Sequence, residues 1–214
     1  MGVSNPQPPA DLPAIPAGPP LAIVLSAPSG AGKDAVRDLL AAWQLPVYFV
    51  VTATTRPPRQ GEVNGRDYHF LTEAEFDRLE SEGALIERAI VYEQRKGVPR
   101  SEITGPLAAG RDVLVRVDVQ GAATLRRVVP DALLIFVAPP SLAEGDRRLV
   151  ERSTESEAEL RARRAAAAAE MAAAKDFDYV VVNETGALEA TARRIVEIIV
   201  AEKERRAAAA GGSA

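Results

Sequence analysis

The sequence predicts an α/β fold with a central parallel sheet covered on both faces. Two observations carry that expectation. Short, near-continuous runs rich in β-branched residues alternate with longer segments of helical periodicity, the pattern of strands buried on both faces and joined by helices. The first run, Leu21–Leu25, leads through the glycine-rich turn Ser26-Ala27-Pro28-Ser29-Gly30-Ala31-Gly32-Lys33-Asp34 into a helix-like stretch from Ala35 to Trp43. A chain of 214 residues holds one well-buried core with room for a small inserted subdomain.

Residues 1–20 carry seven prolines and no repeating apolar pattern, which predicts a disordered or polyproline-like tail. Beyond the first strand, Val47–Val51, Val113–Val117, Leu133–Val137 and Tyr179–Val182 read as further strands. Helical segments are expected at 35–43, 120–129, 141–151, 156–175 and 186–206; the fourth is so rich in alanine that propensity alone supports it. Residues 52–106 break this rhythm with basic residues, glycines and short alternating stretches, and they read as an inserted, mainly β subdomain. The core then comprises 21–51 and 107–206, and residues 207–214 form a second disordered tail.

Composition removes several classes of function. With 26 basic and 30 acidic residues the chain has no global attraction for nucleic acid or membranes. It has no cysteine, so neither disulfides nor thiolate metal sites arise, and a single histidine, His69, cannot build a histidine metal site. No apolar run reaches the ~18–20 residues of a membrane span. The N-terminus lacks a secretory pattern, so a cytoplasmic location is expected.

Chemistry enters with the glycine turn. Glycines let the backbone wrap so that several N–H groups face one anion, the following helix adds its positive dipole end, and Lys33 reaches the outer phosphates of a nucleotide. The match to G-x-x-x-x-G-K-[ST] fails at both ends, with Ala27 for the first glycine and Asp34 for the hydroxyl residue. Taken alone the turn fits either a nucleotide cradle or a simple helix cap. Downstream, Arg56-Pro57-Pro58-Arg59 sets two guanidinium groups three residues apart on a proline-stiffened backbone, suited to one phosphate. Tyr68 and Phe70 fall on one strand face and His69 on the other, which makes His69 a surface residue rather than a ligand.

Several collinear motifs now coincide: Ser26–Lys33, Thr54–Arg59 with Gly61-Glu62, Gly65–Tyr68, Leu85–Glu87, Val117–Gly121, Ala138–Ser141 and Val181–Asn183. By these the chain resembles the guanylate kinase family over roughly residues 21–205. The resemblance implies a P-loop three-layer fold with an inserted GMP-binding subdomain at 52–106 and a helical lid at 152–164. It implies transfer of phosphate from Mg²⁺-ATP to GMP or dGMP. Ser29, Gly30, Ala31, Gly32, Lys33, Asp34 and Asn183 take the ATP positions. Arg56, Arg59 and Tyr68 take the clamp on the GMP phosphate, and Glu87 and Asp118 the pair that reads guanine, with Thr52 near its carbonyl. Two carboxylates suit a base that offers N1–H and N2 amine donors, and adenine lacks both. Lys33, Arg148, Arg152 and Arg163 take the positions that neutralise the transferring phosphates.

Four residues depart from the family pattern. Asp34 replaces the P-loop hydroxyl, and Arg116 stands where an acid usually precedes Asp118. Lys96 replaces a phosphate-binding tyrosine, still as a point charge for GMP phosphate. Val98 replaces a small hydroxyl residue. Asp34 and Arg116 read as one rearrangement in which Asp34 helps hold Mg²⁺ and Arg116 orients it or offsets nucleotide charge; otherwise Asp34 caps its helix and Arg116 points away. A ribose-bisphosphate kinase would share the Asp after the lysine but has no use for Glu87 and Asp118. A non-catalytic phosphopeptide-binding module would share the insert but not Lys33 and the lid arginines.

Overall fold

The structure, a computed structural model, describes residues 6–91, 94–151 and 157–211. Five strands form the central sheet in the order β2-β7-β1-β8-β9, where β1 is Ala22–Ser26, β2 Val47–Phe49, β7 Asp112–Arg116, β8 Leu133–Ala138 and β9 Tyr179–Val182. The apolar runs become strands because both faces are covered: every residue of β1 and β8 is buried. Four further strands, β3 (Ala53–Thr54), β4 (His69–Phe70), β5 (Leu85–Val91) and β6 (Gln94–Pro99), form a second sheet in the order β4-β3-β6-β5. The chain divides into two compact units: Met1–Pro19, Leu25–Pro46 and Leu133–Ala214 in the first, Pro20–Val24 and Val47–Ala132 in the second. The second therefore takes β2 and β7 along with the inserted segment.

In the first unit α1 (Lys33–Ala42) buries Val36 and Leu40 and packs on α7 (Leu188–Gly211), whose inner face carries Ala192, Ile195, Val196 and Ile199. β8 and β9 pair in parallel from Ile135↔Tyr179 to Ala138↔Val182. α5 (Leu142–Glu151) and α6 (Glu157–Ala172) pack on each other, and a 3₁₀ turn closes α6 at Ala173–Asp176. Helix α7 continues to Gly211, past the expected end at 206, because Ala207–Ala210 are the best helix formers available. The proline-rich segment also makes fixed contacts: Arg193 donates to the Asp11 carboxylate at 2.8 Å and to its carbonyl at 2.9 Å, and Lys203 reaches the Pro19 carbonyl at 3.4 Å.

In the second unit β2 pairs in parallel with β7 from Val47↔Asp112 to Phe49↔Leu114. Buried Asp112 is satisfied by the Leu21 amide at 2.7 Å. The inserted segment, expected as mainly β, also holds two helices, α2 (Glu73–Ser81) and the start of α3 (Arg100–Ala108). α2 is specified locally by a capping box, Thr72 with Glu75. Arg95 of β6 then draws Glu73, Asp77 and Glu80 of that helix onto the sheet, with its guanidinium 4.3 Å from the Phe76 ring. α4 (Val119–Val128) packs on β5. No helix among the described residues is long and apolar enough to cross a membrane.

Candidate active site

The glycine turn follows β1 and is shaped by two left-handed residues, Gly30 (φ 82°) and Gly32 (φ 87°). Neither tolerates a side chain. A Cβ on Gly30 would stand 2.1 Å from the Gly145 carbonyl oxygen of α5, and one on Gly32 2.7 Å from the Asn183 amide nitrogen. The loop is thus packed from both sides. Buried Asn183 braces it by donating to the Ala31 carbonyl at 2.8 Å, and accepts from the Thr191 hydroxyl of α7 at 3.0 Å. Asn183, expected among the ATP residues, therefore has both ends of its side-chain amide engaged in shaping the cradle. Glu170 of α6 accepts from the Ser29 amide at 3.0 Å.

Lys33 opens α1 and Asp34 follows in its first turn. Gly32, not Asp34, occupies the N-cap, and Asp34 is the acid of the first turn, where the helix dipole favours it. Beside Gly32 and Ala35 lies a cavity of about 250 Å³, walled by Arg148, Asn183, Thr185, Gly186 and Leu188. Arg148 is fixed in that wall: it donates to the Asn183 carbonyl at 3.0 and 3.1 Å, to the Thr185 hydroxyl at 2.8 Å and to Glu144 at 2.9 Å. Donors from Arg147 first, then Thr185 and Arg148, hold the Glu144 carboxyl well below the usual carboxylate range. Arg152 lies outside the described residues, as do residues 153–156 of the expected lid and the side chain of Arg163.

In the second unit the arginines expected to clamp one phosphate first engage their own loop. Arg56 is buried, and its fork grips Glu62 with both terminal nitrogens at 2.6 Å, with a third bond to the Pro57 carbonyl at 2.9 Å. The Arg56 hydrogen bond, with help from the Arg59 amide at 2.7 Å, pulls the Glu62 pKa down to about 2. Glu62 is thus the organising residue of this loop, and the sequence marked it only as part of a motif. Arg59 itself is exposed. Arg56 also lies 4.9 Å from the Tyr68 ring centroid and 5.4 Å from that of Phe70, and those two rings lie on one face, 5.7 Å apart.

Glu87 and Asp118 come together at the first turn of α4. Asp118 is the N-cap and accepts from the Gly121 amide at 2.8 Å. Buried Glu87 reaches the same turn from β5: a Cβ on Gly121 would stand 3.2 Å from its carboxyl carbon. A Cβ on Gly121 would stand 2.9 Å from the Val117 Cβ and would also crowd Glu87, so glycine fits this turn, a signal legible in Asp118-x-x-Gly121. Val98, buried to 1% exposure, pairs across the strands with Glu87, and half-buried Lys96 pairs with Thr54. Thr52 leads into β3, its carbonyl accepting from the His69 amide at 2.9 Å.

His69 is not the surface residue expected from strand alternation. Its Nε2 lies 3.0 Å from Glu102, which also receives the Tyr48 hydroxyl at 2.7 Å and the Val51 amide at 3.0 Å. Burial and Glu102 together push the Tyr48 hydroxyl up to about 12. This network ties α3 to β2 and β4.

An anion cradle of glycine backbone, following a buried strand of a parallel sheet and opening a helix, defines the class: a P-loop nucleotide-binding protein. The guanylate kinase family model matches residues 20–202. A guanylate kinase of Thermobifida fusca is 46% identical over 160 residues, which is 75% of this chain and 82% of that protein. The chloroplastic/mitochondrial guanylate kinase 2 of rice is 43% identical over 187 residues, covering 87% of this chain and 66% of its own length. Among solved structures, a guanylate kinase from Anaplasma phagocytophilum aligns with a TM-score of 0.72 at 33% identity, covering 87% of this chain and 88% of that one. The chain belongs to the guanylate kinase family.

Proposed function

We propose that the protein is a guanylate kinase that transfers the terminal phosphoryl group of ATP to GMP or dGMP, giving the diphosphate for purine nucleotide metabolism in the cytoplasm. The observation that carries this reading is the convergence of two carboxylates, Glu87 and Asp118, on one helix turn of the second unit. Guanine N1–H and N2–H₂ supply the donors such a pair needs, whereas adenine would leave a buried carboxylate unpaired at a cost of about 1–3 kcal/mol or more. Asp118 can serve both turn and base, because its N-cap bond uses one oxygen. Thr52 then serves the guanine carbonyl, and Arg56, Arg59, Tyr68 and Lys96 take the acceptor phosphate.

On the donor side, the amides of Gly30, Gly32, Lys33 and Asp34 cradle the ATP phosphates, the Lys33 side chain takes the outer ones, and the cavity walled by Arg148 and Leu188 takes the nucleoside. Arg148, Arg152 and Arg163 neutralise charge developing on the transferred group, since phosphoryl transfer needs positioning and counter-charge rather than a strong base. Mg²⁺ is the implied metal. No group of three or more potential protein ligands occurs among the described residues. An ion held mainly by phosphates and water needs one or two carboxylates, and exposed Asp34 is the candidate. When bound, the ion would supply positive charge against the phosphates, with Asp34 as the residue that would help hold it.

The two carboxylates disfavour a ribose-bisphosphate kinase, and retention of Lys33 and Arg148 disfavours a phosphopeptide-binding module. A coupled ADP-release assay with GMP, AMP and ribose phosphates separates these readings. Turnover with GMP at a kcat/KM at least 10³-fold above AMP is expected, and Glu87→Ala should lose most of that preference. Equal use of AMP, or turnover of ribose phosphates alone, would overturn the assignment.

A further inference from the structure

Arg116 is the last residue of β7 and is half-buried. Its terminal nitrogen donates to the Tyr68 hydroxyl oxygen at 2.9 Å, and its guanidinium carbon lies 5.4 Å from the Tyr68 ring centroid. The same ring receives Arg56 at 4.9 Å. Tyr68 is therefore flanked by two guanidinium groups, one of which, Arg56, is already committed to Glu62 through both terminal nitrogens. Two residues past Arg116, Asp118 begins the turn where Glu87 arrives. The carboxyl end of β7 thus supplies a cation toward Tyr68 and an acid toward the base-reading pair.

We propose that Arg116 is a positioning residue for the acceptor phosphate, acting through Tyr68. A phenol oxygen that accepts from a guanidinium has its own O–H proton left to donate elsewhere, and accepting a charged hydrogen bond makes it a stronger donor. Arg116 fixes the Tyr68 oxygen so that this proton is directed at a phosphate oxygen, and adds positive charge where Arg56 is partly neutralised by Glu62. The ligand class is a dianionic nucleoside 5′-monophosphate. This inference rests on the GMP-kinase reading and assigns to it a residue that stands where an acid was expected.

The test is a double-mutant cycle on the full chain with GMP and Mg²⁺-ATP: Arg116→Gln, Tyr68→Phe and both together. Arg116→Gln should raise KM for GMP on the order of tenfold while KM for ATP stays within about twofold, the size expected for a lost hydrogen bond to a charged partner. In the Tyr68→Phe background, Arg116→Gln should add no more than about twofold. Arg116→Lys, which keeps the charge, should recover part of the affinity and also serves if the glutamine variant folds poorly. An unchanged KM for GMP in the folded variants overturns the proposal, as does a full tenfold effect in the absence of the Tyr68 hydroxyl. A wild-type enzyme inactive on GMP would instead remove the function reading beneath it.

Discussion

Under the proposed function the glycine turn and the acceptor loop both bind phosphate, yet they are built from opposite materials. The turn is made of backbone amides, shaped by Gly30 and Gly32 and braced by Gly145, Asn183 and Glu170. The acceptor loop is made of side-chain charges that first hold one another, Arg56 on Glu62 and Arg116 on Tyr68. A backbone cradle fails by steric intrusion and hardly titrates. A cradle of side chains tolerates shape changes but fails when a charge is removed or protonated.

The largest expected effect breaks the first half of that comparison. Gly30→Ala puts a Cβ into left-handed backbone and against the Gly145 carbonyl, and should cost about 3 kcal/mol or more in urea unfolding. Gly61 of the acceptor loop has a similar φ of 87° with nothing within 4 Å of its absent Cβ. Gly61→Ala should therefore cost only about 1–2 kcal/mol, for the backbone conformation alone. Equal costs would mean that packing around the turn does not distinguish the two loops.

A smaller effect concerns acid. Glu62 has a folded-state pKa of about 2 against an ordinary 4.5. Because the folded value is the lower one, its pairing with Arg56 stabilises fully above pH 4.5 and is lost as pH falls toward 2. Glu62→Gln should flatten that part of the stability-against-pH curve in chemical denaturation. A curve of unchanged slope in the variant would show that the pair is not coupled to folding.

The same contrast decides what could be read from sequence. The sheet was legible because burial on both faces forces continuous runs such as Leu133–Val137, and the turn because only glycine serves at Gly30 and Gly32. The pairing of Glu87 with Asp118 followed from resemblance, and Gly121 carried a local trace of it. The Arg56–Glu62 grip was not legible, since no periodicity fixes which side chains of a loop meet. His69 was misjudged for a related reason: alternation gave its strand face correctly, but Glu102, its partner 33 residues away, arrives on a helix. Asn183 was expected among the nucleotide residues, and its bracing of the cradle was not legible because its partner Ala31 is 152 residues distant.

The most direct test of the division into a backbone-built donor cradle and a charge-built acceptor cradle is calorimetric titration of Arg59→Ala with each nucleotide separately. Arg59 is exposed, and its hydrogen bond to Glu62 comes from the backbone amide, which the substitution keeps, so the fold should hold. The account predicts that the dissociation constant for GMP rises about tenfold or more while that for ATP is unchanged within about twofold. A loss of ATP affinity equal to the loss for GMP, or an unchanged GMP affinity, would contradict it.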